Sequence, residues 1–169
     1  MKLLLIGNFG VGNFGDDAIL EYYKTRFPEH QWIVVTAKRV MGSDVPRLPL
    51  GFRSLLAPWW KTLGAYRSCD AVVFAGGTLF TDTESVFACV LWSVHALAAK
   101  IFKKPRVFAF QGIGPFRSGF SRTLTRMALR DAAFISVRDE ESQAIVSELT
   151  GASSVLGADP VALLFAGVT

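Results

Sequence analysis

The groups able to do chemistry fall in four short polar stretches set between apolar runs. The first spans residues 7–17 and carries Gly7, Gly10, Gly12 and Gly15, with Asn13 among them, ahead of Asp16 and Asp17. Glycine at that density lets the main chain turn through positive φ and lets its N–H groups approach a bound group. The two carboxylates can take up a proton or hold a hydroxyl; as acids ahead of an apolar stripe they can equally open a helix. The second stretch is Gly76-Gly77-Thr78-Leu79-Phe80-Thr81-Asp82 and the third Gln111-Gly112-Ile113-Gly114-Pro115. Both offer close backbone approach, although turn glycines need no ligand, and Asp82 can bond a hydroxyl or cap the helix that follows. The fourth is Arg138-Asp139-Glu140-Glu141-Ser142. A guanidinium forks onto phosphate or carboxylate, so Arg138 suits an anionic ligand, or an ion pair with Asp139 or another nearby acid.

Each stretch follows a run that reads as a strand. Residues 3–6 are aliphatic without polar alternation, as in a strand buried on both faces of a parallel sheet. Ile19, Leu20, Tyr22 and Tyr23 then give a helical stripe that stops near Phe27-Pro28, because proline disfavours the helical region at the residue before it. Further strands are expected at 33–36, 71–75, 106–110, 134–137 and near 153–156, the last running into Gly157-Ala158-Asp159-Pro160. Helical spacing covers 59–67, 85–102 and 118–130 and resumes after Arg138, whereas 41–58 reads as irregular. Six strands alternating with helices predict an α/β fold, a doubly wound, mostly parallel six-stranded sheet of Rossmann-like type. Ligands of such sheets bind outside the carboxyl ends of the strands, and right-handed crossovers would bring all four stretches to that edge.

Gly10, Gly12 and Gly15 also spell GxGxxG between strand and helix, which raises a dinucleotide site. The loop is long for that purpose, since Gly7 already ends the strand. Asp16 and Asp17 would face a pyrophosphate at the helix start. After the second strand the chain reads Thr36-Ala37-Lys38-Arg39, leaving only a phosphorylated ribose, as in NADP.

The 169 residues suffice for one domain with a proper core. A hydrophobic fraction of 51% suits a sheet covered on both faces and a surface that meets a partner. The net charge of +4 would suit an anionic ligand or an acidic membrane surface. There is no arginine-rich block of the kind that binds nucleic acid. Arg122, Arg126 and Arg130 share one helix face, best read as a solvated stripe. Cys69 and Cys89 form no CxxC and read as reduced core residues of a cytosolic protein, with no zinc or other metal site implied. Residues 86–99 are apolar but too short to span a bilayer. Trp59 and Trp60, being adjacent, cannot both face one core, so one of them is expected to be exposed or at a contact surface, where an amphipathic ring suits another domain or a lipid headgroup region.

In order along the chain, GNFGVGNFGDDAIL, VVFAGGTLFTD, FAFQGIGPF, ISVRDEES and GADPVALL resemble the polysaccharide pyruvyl transferase family. The resemblance implies the amino-terminal one of two Rossmann-like domains that face each other across a cleft, similar to one class of glycosyltransferases, with residues 1–169 as that domain. It implies transfer of pyruvate from phosphoenolpyruvate, the co-substrate and no separate cofactor, to two hydroxyls of a sugar, giving a ketal and phosphate. The acceptor would be a cell-surface polysaccharide or a lipid-linked oligosaccharide precursor, met in the cytoplasm, with peripheral contact at the inner face of the membrane. Under this resemblance Arg138 would hold the donor's anionic groups and Asp16 would do acid–base or acceptor-hydroxyl work. Gly10, Asn13, Gly76, Gly77, Asp82, Gly112 and Gly114 would contact substrate. The family's histidine and further basic residues would belong to a second domain; His30, in a turn, and His95, in an apolar helix, do not match them. The 169 residues alone are expected to bind weakly and to lack turnover. An apolar face left by the missing half would favour self-association into a homo-oligomer. Three other readings stay open: a nucleotide-sugar-binding glycosyltransferase-like domain, an NADP-binding domain, and an α/β module without catalysis.

Overall fold

A computed structural model describes residues 1–38, 42, 44–50 and 52–162, apart from the side chain of Arg53. Arg39, next to the NADP reading, lies outside the described residues. The elements run β1 (Lys2–Ile6), α1 (Phe14–Arg26), β2 (Gln31–Thr36), β3 (Val45–Pro46), a 3-10 helix (Phe52–Leu56), α2 (Trp60–Ser68), β4 (Ala71–Ala75), α3 (Val86–Ile101), β5 (Arg106–Gln111), α4 (Gly119–Leu129), β6 (Phe134–Val137), α5 (Glu140–Thr150) and β7 (Val155–Leu156).

The strands form one parallel sheet in the order β3-β2-β1-β4-β5-β6-β7. The expected Rossmann-like α/β architecture is present, with seven strands where six were expected. The addition is β3, two residues at the sheet edge inside the stretch that reads as irregular. Its proline masks it in the sequence, and an edge is where a strand tolerates one. The order reverses between β1 and β4, which opens a crevice at their carboxyl ends.

Alternation along the strands divides the core between two faces. Leu4, Ile6, Val35, Val72, Phe74 and Phe108 point to the face packed by Tyr66 of α2, Trp92 and Ala96 of α3, Leu129 of α4 and Val146 of α5. Leu3, Leu5, Val34, Val73 and Ala109 point to the other, covered by Ile19, Tyr22 and Tyr23 of α1. Each such large side chain contributes about 1.5–3 kcal/mol by leaving water, which is why β1 and β4 need no polar alternation. Burying the Arg106 cation is tolerated because its guanidinium donates to the carbonyls of Ala128, Arg130 and Asp131 at the end of α4, the negative pole of that helix.

The helix starts differ from the expectation in a way that bears on the site. Asn13, not Asp16 or Asp17, caps α1, its Oδ1 accepting from Gly15 N at 3.0 Å. The two aspartates stand one turn in, where the helix dipole favours them and their carboxylates stay available. Likewise α3 is capped by Ser85, not Asp82. Trp59 is half-buried and Trp60 exposed, as adjacent tryptophans require.

Candidate functional site

The loops after β1, β4, β5, β6 and β7 enclose a cleft of about 590 Å³ at the carboxyl edge of the sheet. Asn8, Asn13, Asp16, Gly77, Thr78, Glu84, Gly112, Gly114, Arg138, Asp139, Glu141 and Asp159 are among the residues that line it.

Asp16 enters from the first turn of α1. Asn8 Nδ2 donates to Asp16 Oδ2 at 3.0 Å, and Arg47 Nη2 donates to Asn8 Oδ1 at 3.0 Å. Arg47 also reaches the Phe9 carbonyl at 3.4 Å, and its guanidinium carbon lies 5.1 Å from the centroid of the Trp92 ring. Burial raises the Asp16 carboxyl above the usual carboxylate range; the Asn8 hydrogen bond works against this, Asp17 with it, and the Arg47 charge against it. Asn8 and Arg47 were not legible as site residues. Arg47 sits in the irregular stretch, and no spacing ties it to Asp16.

The floor is built by close backbone pairing beyond the strand ends. Gly112 N donates to the Gly77 carbonyl at 2.8 Å, and Gly114 N to the Phe80 carbonyl at 2.7 Å. A β-carbon on Gly112 would stand 2.6 Å from Thr78 Oγ1 and 2.9 Å from Arg138 Cζ and Nε. The absence of a side chain there is therefore what lets Arg138 lie across the floor.

Arg138 does not stand alone. Its Nε donates to Asp139 Oδ2 at 3.2 Å and its Nη1 lies 3.6 Å from Asp159 Oδ2. The ion pairing weighed from the sequence thus exists, and it holds Arg138 inside the cleft. Burial works to raise the Asp139 carboxyl, yet hydrogen bonds from Ser142 and Arg138 bring it below the usual range.

Of the residues nominated from sequence, Asn13, Asp16, Gly77, Gly112, Gly114 and Arg138 converge on this cleft. Gly10, Gly76 and Asp82 are not among its lining residues. Gly10 has φ +75° and packs so closely that a β-carbon would meet Thr36 Oγ1, which makes it a packing glycine between β1 and β2. Gly76 has φ +41° and its added β-carbon would touch Ile19 and Pro160. Asp82 is buried, and its carboxylate oxygens accept from Arg117 N at 2.7 Å and Ser118 N at 2.9 Å. The first of these bonds does most to hold its carboxyl below the usual range. It fastens the entry to α4 and does not contact the cleft. The Gly10 packing and the acids in the first turn of α1 also remove the features a dinucleotide pyrophosphate would need.

The two histidines take no part. His95 is fully buried on α3: Leu48 N donates to its Nε2 at 3.2 Å, so the ring proton sits on Nδ1, 2.7 Å from Tyr66 Oη, which donates to the His95 carbonyl at 3.1 Å. Burial, then the nearby Arg47 charge, lowers its pKa to about 3. His30 lies beside Glu29 and stacks on Phe27. Cys69 and Cys89 are free and buried. Among the described residues no group of three or more His, Cys, Asp or Glu is placed to hold a metal ion.

The family model described as polysaccharide pyruvyl transferase matches residues 13–167. The chain belongs to this family. Polysaccharide pyruvyl transferase membership makes it part of a transferase family of polysaccharide biosynthesis. Among solved structures, Anabaena HepE in complex with UDP-glucose is similar at 19% identity and TM-score 0.56, over 94% of this chain and 43% of HepE. HepE in complex with UDP and glucose gives 15% identity and TM-score 0.56 over the same shares, 94% and 43%. At these identities the likeness is one of fold, and the chain spans less than half the length of HepE. No curated protein matches the chain.

Among the described residues, five carboxylates, Asp16, Glu84, Asp139, Glu141 and Asp159, line the cleft against the single guanidinium of Arg138. An acidic wall of that kind suits a hydroxyl-rich ligand, whose O–H groups donate to carboxylates, better than a polyanion.

Proposed function

We propose that this chain forms one wall of the cleft in which pyruvate passes from phosphoenolpyruvate to a sugar of a polysaccharide or of its lipid-linked precursor, closing a cyclic ketal. Family membership supports the reaction class. The observation that carries this wall's share is Asp16, half-buried at the switch point with one oxygen tied to Asn8 and its carboxyl raised by burial.

The reaction sets the roles. Two acceptor hydroxyls lose their protons; the methylene carbon of the enolpyruvyl group gains one, and the departing phosphate carries the other. Two C–O bonds form at the central carbon as its bond to the phosphate oxygen breaks. Asp16 takes the proton of an acceptor hydroxyl, and a raised pKa makes it the better base near neutral pH. Asp139, Glu84 and Glu141 accept hydrogen bonds from the other sugar hydroxyls. Arg138 meets the donor's carboxylate or phosphate by exchanging one of its acidic partners for it. The remaining cations for so charged a donor, and the acid that protonates carbon, come from a facing half supplied by a longer protein.

The test is incubation of the full-length protein with phosphoenolpyruvate and acceptor oligosaccharides, reading phosphate release and a pyruvate ketal by mass spectrometry. Both should appear, and both should form far more slowly in Asp16→Asn. A nucleotide-sugar donor is the second reading, favoured by the HepE complexes with UDP and UDP-glucose. Thermal stabilisation of the full-length protein by UDP-glucose and not by phosphoenolpyruvate would decide for it.

A further inference from the structure

Ser142 stands in the first turn of α5, only 2% exposed, and lines the cleft. Its Oγ accepts at 2.9 Å from Ile113 N, the amide between the two glycines of the loop after β5. A serine hydroxyl that accepts still has its own proton to give. The acid beside it is Asp139: Ser142 N donates to Asp139 Oδ1 at 2.7 Å, and the hydroxyl donates to the same carboxylate. Asp139 Oδ2 in turn accepts from Arg138 Nε at 3.2 Å. One chain of hydrogen bonds therefore runs from the β5 loop through Ser142 and Asp139 to the guanidinium.

The loop end of that chain is fixed. Ile113 is buried and bridges Phe80, and the flanking Gly112 N and Gly114 N donate to the carbonyls of Gly77 and Phe80. The loops after β4 and β5 thus form one piece, to which Ser142 ties the start of α5. Capping alone asks less of this residue, because Asp139 caps α5 through the Ser142 backbone N–H, which any residue but proline supplies. The hydroxyl serves the loop and the acid instead.

The two acids on Arg138 are held unequally. Asp139 takes hydrogen bonds from Ser142 and from Nε, whereas Asp159 Oδ2 lies 3.6 Å from Nη1, beyond hydrogen-bond reach, with Oδ1 turned to Val161 N at 2.9 Å. We propose that Ser142 is a positioning residue for anion binding: acting through Asp139, it keeps Arg138 Nε engaged, so that Asp159 is the partner that yields and the Nη1–Nη2 end grips the donor's carboxylate or phosphate. The donor's part rests on the reaction assigned above. The link from Ser142 to Arg138 does not, and it is read separately.

The experiment follows the Arg138 Nε–H signal and the Asp139 carboxyl by NMR in the full-length protein, with phosphoenolpyruvate titrated by calorimetry. In Ser142→Ala the Nε–H should exchange with solvent about tenfold faster and phosphoenolpyruvate should bind about tenfold more weakly. The Asp139 midpoint should rise toward its ordinary 3.8. Ser142→Cys, close to serine in size but a weak hydrogen-bonding group, supplies the same readings should the alanine variant misfold. A residue that only caps α5 would shift the melting temperature and leave the Arg138 Nε–H untouched, and that result overturns the proposal. So does a further change on adding Ser142→Ala to Asp139→Asn, since the hydroxyl would then act without the acid. A parent that ignores phosphoenolpyruvate while the NMR changes appear would remove the donor assignment and bear out the link from Ser142 to Arg138.

Discussion

Asn8 donates its side-chain amide to Asp16 Oδ2 at 3.0 Å while its own side-chain oxygen accepts from Arg47 at 3.0 Å. The amide therefore links a partly buried cation to a partly buried carboxylate without direct contact between them. The carboxylate is held in one orientation but keeps a second oxygen for chemistry. Replacing Arg47 with methionine removes both the clamp on Asn8 and a charge that favours ionised Asp16. The Asp16 titration midpoint, followed by carboxyl 13C NMR, should rise further above its ordinary value of 3.8. An unchanged midpoint would mean that Arg47 only packs against Trp92.

Turnover in the full-length protein depends on the same carboxylate. Asp16→Asn keeps the shape and the contact with Asn8 but cannot accept a proton, and a loss of about 10²–10⁴-fold in kcat is expected. Little change in KM for the donor should accompany it. A variant within a few-fold of the parent would reassign Asp16 to a structural place.

Arg138 is contested between its acidic neighbours and any bound anion. Asp159→Asn removes one competitor, and half-exposed pairs of this kind are worth about 0.2–1 kcal/mol, so phosphoenolpyruvate should bind up to about fivefold tighter in calorimetry. Gly112→Ala should act in the opposite direction by pushing Arg138 off the floor, since its β-carbon would crowd both Thr78 Oγ1 and the Arg138 guanidinium. Weaker binding in Asp159→Asn would show that the ion pair orients Arg138 for the donor.

His95 gives the fold a defined acid sensitivity. Its native pKa, about 3, lies below its ordinary 6.5, so between those values the unfolded chain binds a proton that the folded chain refuses. Its stabilising share is complete above pH 6.5 and is lost as pH falls toward 3. Linkage gives a loss of about 2 kcal/mol between pH 7 and pH 5 from this group. Urea unfolding across that range should show the loss in the parent and a shallower pH dependence in His95→Gln.

Asp82 should behave as a fastener. Asp82→Ala should lower the urea midpoint and speed hydrogen exchange at the Arg117 and Ser118 amides, while ligand affinity changes little. A selective loss of ligand binding would return it to the cleft.

The architecture was legible because it is written in local pattern: unalternating aliphatic runs at β1 and β4, a glycine loop after each, and an acid or arginine at the next helix start. Convergence of Asp16, Gly77, Gly112 and Arg138 followed from parallel topology alone. What escaped depended on distance in space. Nothing in the sequence marks Arg47 as the neighbour of Asn8, since 39 positions separate them and β3 is too short and proline-bearing to announce the strand that brings them together. Gly10 and Asp82 matched the expected residue types yet turned out to serve packing and loop closure. Residue type alone does not distinguish a glycine approached by ligand from one approached by Thr36.

Arg47 is bonded to Asn8, and Asn8 in turn to Asp16, so a cation delivered from beside the edge strand reaches the first turn of α1. A substitution that removes its positive charge makes that carboxyl harder to ionise. The readiness of the cleft to release a proton is therefore tuned by a side chain that is not part of its walls.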